Sequence, residues 1–131
     1  MTTYDDVYTE FMTITKTDPI NIPTDQDKIY DAIHNAVHMF NNRMRDNLQY
    51  DDSTELFDRE LNHDELVILA NFLKLIFLEN QLTYFTTLFQ PFAKDVGLRN
   101  YQSQIKSLEF LIQQQNKRID ELINNTQVDF M

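Results

Sequence analysis

Cysteine is absent from this 131-residue chain, and glycine occurs once, at Gly97. Without cysteine there can be no disulfide, no thiolate zinc site and no cysteine nucleophile. A single glycine rules out a glycine-rich phosphate cradle. With only three prolines beside it (Pro19, Pro23 and Pro91), turn formers are scarce, which argues against a sandwich or barrel and for a few long helices. Basic residues are also few. Eleven lysines and arginines face 21 acids, for a net charge of −10. That balance disfavours a nucleic-acid binder, because displacing counterions from a phosphate backbone needs cationic side chains. It suits a solvated acidic surface, a partner with basic patches, or a wall that DNA must not stick to. The N-terminus, MTTYDDVYTEF, lacks the basic start of a secretory signal. Asn71 and Lys74 interrupt the longest apolar stretch, so no membrane span is expected. These absences describe a soluble protein, intracellular or carried in a particle.

What is present is helical periodicity. Tyr4, Val7, Tyr8, Phe11 and Met12 predict a first helix over about residues 4–14, with Asp5 and Asp6 at the positive end of its dipole. A double-proline loop follows to residue 23. Thr24 is placed to cap a second helix running to about Arg45, whose apolar stripe is Ile29, Ile33, Ala36, Val37, Phe40 and Met44. Residues 47–61 form a polar connection, long for a compact domain, which Leu48, Tyr50, Leu56 and Phe57 would tack down. Asn62 and Glu65 have the spacing of a capping box at the start of a third helix, which Pro91 must end after Gln90. From Leu66 to Leu78 that helix is apolar on nearly every side, so its own domain, a partner chain or lipid must cover it. In a fourth helix, over about 100–123, Tyr101, Ile105, Leu108, Ile112, Gln115, Ile119 and Leu122 form a heptad seam with one polar layer. The seam can pack on helix three or on a second chain. The expected architecture is all-α. It is a bundle of about four helices in one domain, residues 1–123, with a long connection between helices two and three and an extended tail at 124–131.

No pattern carries enzymatic chemistry. His34 and His38 share a helix face, as two metal ligands should, but Asn35 stands where a zinc protease needs its glutamate. Two solvent-exposed histidines are expected, with no metal and no cofactor. Asp51-Asp52-Ser53-Thr54 resembles a calcium loop but lacks its glycine and distal glutamate. The other acidic pairs fall at wet helix starts and on charged faces, where carboxyl pKa values are not driven apart. Arg43/Arg45 and Lys117/Arg118 read as charges complementing helix C-termini.

The pattern Phe57-x3-Leu61-x3-Glu65-x2-Ile68-Leu69-Ala70, the apolar helix after it, and the 100–108 stretch opening a heptad helix together resemble tailed-phage head–tail connector proteins. The likeness spans about residues 30–123 and rests on lengths and apolar positions. Residues 1–23 match no part of the pattern. The resemblance implies a non-enzymatic adaptor in the virion neck, assembled in the host cytoplasm as a homo-oligomeric ring of about twelve chains. Its partners would be the portal protein and a tail-completion or stopper protein. DNA would pass through the ring without specific binding, and acids among Asp51, Asp52, Glu55 and Asp58 would face the channel. The tip Val128-Asp129-Phe130-Met131 would hook into the portal. The alternative is an acidic inhibitor or DNA mimic that occupies a DNA-processing enzyme. It would need its acids in a phosphate-like row, whereas these cluster at helix starts and in a loop.

Overall fold

The computed structural model describes residues 2–15, 25–84, 86 and 98–129, with side chains described at 2–15, 25–83, 86 and 102–125. Four helices, α1 (Tyr4–Ile14), α2 (Gln26–Met44), α3 (His63–Tyr84) and α4 (Leu98–Asp129), account for most of it. Strands β1 (Tyr50–Asp51) and β2 (Leu56–Phe57) sit between α2 and α3. The all-α expectation holds, with one small antiparallel hairpin added.

α1 starts at a capping box. The Thr3 hydroxyl accepts from the Asp6 N–H, and the Asp6 carboxylate accepts from the Thr3 N–H, both at 3.0 Å. α2 is capped one residue later than expected. Asp25 accepts from the Asp27 N–H, while Thr24 lies outside the described residues. At its other end Arg45 adopts φ 54, a left-handed cap that returns its N–H to the Asn41 carbonyl. The box at α3 forms as read, with Glu65 N–H to Asn62 Oδ1 at 2.8 Å and Asn62 N–H to Glu65 Oε1 at 3.1 Å.

α3 is the centre of the molecule. It packs against α1, α2 and α4, and Ile68, Leu69, Phe72, Leu73, Leu75, Ile76, Phe77 and Leu78 are all buried. Each such side chain contributes about 1.5–3 kcal/mol relative to exposure. By length and composition the span His63–Thr83 could cross a membrane. Here the cover that its all-round apolarity demands comes from its own chain. Phe11 of α1 meets Phe77 with ring centroids 5.1 Å apart, and the α2 stripe closes a second side. The expected continuation of α3 to Gln90 and the connection over 91–97 lie outside the described residues, apart from residue 86.

The heptad seam of α4 packs on α3 of the same chain. Leu108, Gln115 and Ile119 are buried, Ile105, Ile112 and Leu122 half-buried, and Ile123 is buried beside them. The side chain of Tyr101 is outside the described set. The polar layer finds a matching partner. Gln115 Nε2 donates to the Asn71 backbone carbonyl at 2.8 Å and to Asn71 Oδ1 at 2.9 Å, while Asn71 Nδ2 donates to the Val67 carbonyl. The two buried polar side chains satisfy one another across the seam, so neither leaves an orphaned group.

Two expectations about α4 are corrected. The helix continues past Ile123 to Asp129, so residues 124–129 prolong it rather than leaving it as an extended tail. Lys117 and Arg118 therefore lie in its middle and complement no C-terminus. Arg43 does lie in the last turn of α2, and its guanidinium also pairs with Asp120 of α4, tying the second helix to the fourth.

Candidate functional site

The segment over 47–61 is ordered from both sides. Asn41 of α2 receives the Leu48 N–H on its Oδ1 and donates its Nδ2 to the Leu48 carbonyl, seating Leu48 in the core. Arg59 forks onto Glu65 at 2.8 and 3.2 Å and also reaches Asp46, bridging the end of α2 to the start of α3. Hydrogen bonding from Arg59 outweighs burial and holds the Glu65 carboxyl below its usual range. Between these anchors Tyr50 pairs with Phe57 and Asp51 with Leu56. Phe57 is buried, as its spacing suggests.

The N-terminus supplies the other wall. Phe57 N–H donates to the Thr2 carbonyl at 3.0 Å, Tyr4 N–H to the Glu55 carbonyl at 2.9 Å, and Leu61 N–H to the Thr2 hydroxyl at 2.8 Å. Residues 2–4 thus lie along the free edge of the hairpin, with a bridge from Thr3 to Leu56. An unpaired strand edge invites association, and here the chain's own start covers it. No sequence pattern in residues 1–3 signalled this role.

The four acids expected to face a channel have four different surroundings. Asp52, half-buried, is held by two side chains. Its Oδ1 accepts from the Tyr4 hydroxyl at 2.6 Å and lies 2.7 Å from His34 Nε2. Burial acts to raise its pKa, but the hydrogen bonds from His34 and Tyr4 outweigh that, and the carboxyl sits below its usual range. Burial, reinforced by Asp52, pushes the Tyr4 phenol far above its ordinary value. Asp51 caps its own turn, accepting from the Ser53 hydroxyl at 2.6 Å and the Ser53 N–H at 2.9 Å, which lower its pKa. Asp58 accepts from the Gln49 N–H at 3.2 Å and continues the ladder. Glu55, at φ 55, is half-buried beside Tyr30. The hairpin therefore gathers these acids on one short segment without arranging them in a free row.

The histidines are corrected too. His34 is half-buried, held by Asp52 and stacked on Tyr50 with centroids 4.3 Å apart and planes 14° apart. His38 is exposed as expected, with Nε2 3.5 Å from the Tyr50 hydroxyl. The imidazole and phenol groups thus brace the hairpin against α2. Sequence reading missed this cluster because His34 and Asp52 come together only when the connection folds back onto α2. Among the described residues no group of three or more His, Asp or Glu side chains could hold a metal ion.

The expected portal hook is placed only in part. Val128 and Asp129 belong to the helical backbone of α4, and Phe130 and Met131 lie outside the described residues. The last buried side chain described is Ile123, with Asn124 and Asn125 exposed beyond it. Earlier along α4, Phe110 is 58% exposed.

Residues 1–128 match the family model of the YomZ prophage protein. The chain is 44% identical over 131 residues, the full length of both sequences, to the protein named "SPbeta prophage-derived uncharacterized protein YomZ" of Bacillus subtilis (strain 168). No solved structure matches it. The phage origin implied by the resemblance in sequence pattern is supported, at this coarser level than a connector. The chain belongs to the YomZ prophage protein family.

Proposed function

We propose that this chain is a structural protein of the phage particle, a head-to-tail adaptor whose copies form a ring of about twelve between portal and tail. The observation that carries the reading is the length of α4. It runs 32 residues, about 48 Å of helix, and its last six residues follow Ile123, the last buried side chain among those described. In this reading those last residues are the arm that engages a partner. The tip Val128-Asp129-Phe130-Met131 joins apolar side chains to a carboxylate, a composition suited to a cleft on the portal. A net charge of −10 suits a ring wall past which DNA slides. Of the hairpin acids, the exposed Asp51 and Asp58 are the better channel-facing candidates, since Asp52 is engaged by Tyr4 and His34. In this reading the protein catalyses nothing, needs no cofactor, and resides in the virion neck after assembly in the host cytoplasm. The other bound partner is a stopper or tail-completion protein.

The test is to purify phage particles on a density gradient and quantify this chain by mass spectrometry, with immunogold labelling to locate it. The expected result is about twelve copies per particle with label at the neck. Complete particles that lack the chain would overturn the proposal. Its recovery instead on a nuclease, polymerase or repressor, lost at high salt, would favour the acidic-inhibitor alternative.

A further inference from the structure

A cavity of about 260 Å³ opens between α1, α2 and the hairpin turn, beside the point where Tyr4 N–H meets the Glu55 carbonyl. Three tyrosines line it: Tyr4 and Tyr8 from α1 and Tyr30 from α2. Tyr4 and Tyr8 are one helical turn apart and so share a face. Tyr30 meets Tyr4 edge-on, with centroids 5.6 Å apart and planes at 72°, so the two rings form a corner. Ile29 and Ile33 add apolar wall, and Asp5 and Glu55 add two carboxylates. No lysine or arginine is among the lining residues.

The rings are held in place. The Tyr4 hydroxyl is bound to Asp52, and the Tyr30 hydroxyl accepts from Gln26 Nε2 at 2.7 Å. Glu55 reaches the cavity from a left-handed backbone position, φ 55, which is costly for a residue other than glycine and here brings its carboxylate to Tyr30. Aromatic faces carry a negative quadrupole, and tyrosine walls with acids beside them form the recognised pattern of a cation cage. An anion would be repelled by both carboxylates. A neutral apolar ligand would gain nothing from them. A bare divalent ion would want more oxygen ligands than two carboxylates and a glutamine supply.

We propose that this cavity binds an organic cation, the guanidinium or alkylammonium head of an arginine or lysine side chain or of a free amine. The half-buried Tyr8 and Tyr30 rings take the apolar flanks of the head group, the buried Tyr4 backs Tyr30, and Asp5 and Glu55 neutralise the charge. The net charge of −10 raises the local concentration of such cations. This inference stands independently of the adaptor reading, because it concerns the isolated chain.

The experiment is NMR of the full chain with labelled tyrosine rings, titrated at constant ionic strength. The probes are N-acetyl-arginine methylamide, N-acetyl-lysine methylamide and tetramethylammonium, with sodium chloride as the control. Saturable shifts on the Tyr8 and Tyr30 rings are expected with at least one probe. Tighter binding of an amino-acid amide identifies a protein side chain as the natural occupant, and tighter binding of tetramethylammonium identifies a free quaternary amine. Glu55→Gln should weaken binding by about five- to tenfold. Tyr30→Leu should abolish it, with circular dichroism confirming that each variant is folded. Glu109→Gln, exposed on α4, should leave it unchanged. Shifts no larger than those from sodium chloride would overturn the proposal, as would saturable shifts unaltered in Glu55→Gln.

Discussion

Replacing Gln115 by leucine tests whether the α4 seam is a monomer's core. Gln115 is 4% exposed, and its amide makes two hydrogen bonds to Asn71, itself 4% exposed. Leucine fills similar space but donates nothing, so the buried Asn71 Oδ1 loses its partner. Leaving one buried acceptor unsatisfied costs about 1–3 kcal/mol, from which leucine's own apolar burial subtracts a part. For a chain of this size each kcal/mol lowers Tm by about 4 °C, so a fall of roughly 4–10 °C is expected. The double variant Asn71→Leu/Gln115→Leu removes both members of the pair and should recover most of that loss, giving a coupling of about 1–2 kcal/mol. Thermal and urea unfolding followed by circular dichroism would measure both effects. Because the seam closes on α3 of the same chain, the difference between parent and variant should be the same at every protein concentration. A Gln115→Leu variant as stable as the parent, or a loss that changes steeply with concentration, would refute the reasoning.

Asp52→Asn should flatten part of the acid limb of the stability curve. The native pKa of Asp52 is depressed, so its contribution is present above the unfolded carboxylate value of about 4 and is lost as pH falls through the folded value. Urea midpoints from pH 7 to pH 2 would show it, and parallel curves for parent and variant would contradict it. Asn62→Ala removes one half of the α3 capping box and should cost about 1 kcal/mol, read as a lower urea midpoint with unchanged slope. An unchanged midpoint would mean the cap is energetically idle. Deleting residues 124–131 should leave a cooperatively folded protein, since no described side chain beyond Ile123 is buried, while abolishing incorporation into particles. Normal incorporation of the truncated chain would remove the arm from the adaptor reading.

The sequence by itself determined the elements whose causes are local. The Asn62/Glu65 capping box, the 3–4 spacing of apolar residues in each helix, and the scarcity of glycine act over a few residues, so α1, α2, the start of α3 and the α4 seam could be read in advance. Its length and apolar positions also carried the phage resemblance. What covers α3, and whether the seam closes within one chain, depended on how far α1, α2 and α4 wrap one axis, which no local pattern encodes. The hairpin was invisible because strands of two residues show no period, and its anchors, Thr2, Tyr4, Asn41 and Arg59, are spread over nearly sixty positions of sequence. His34 looked solvated because exposure judged from helix phase ignores a loop that returns to cover it. The tyrosine cavity existed only once α1, α2 and the turn at Glu55 were brought together. Tertiary packing decided these features because each joins side chains distant in sequence, and their burial and charge environment arise only from that meeting.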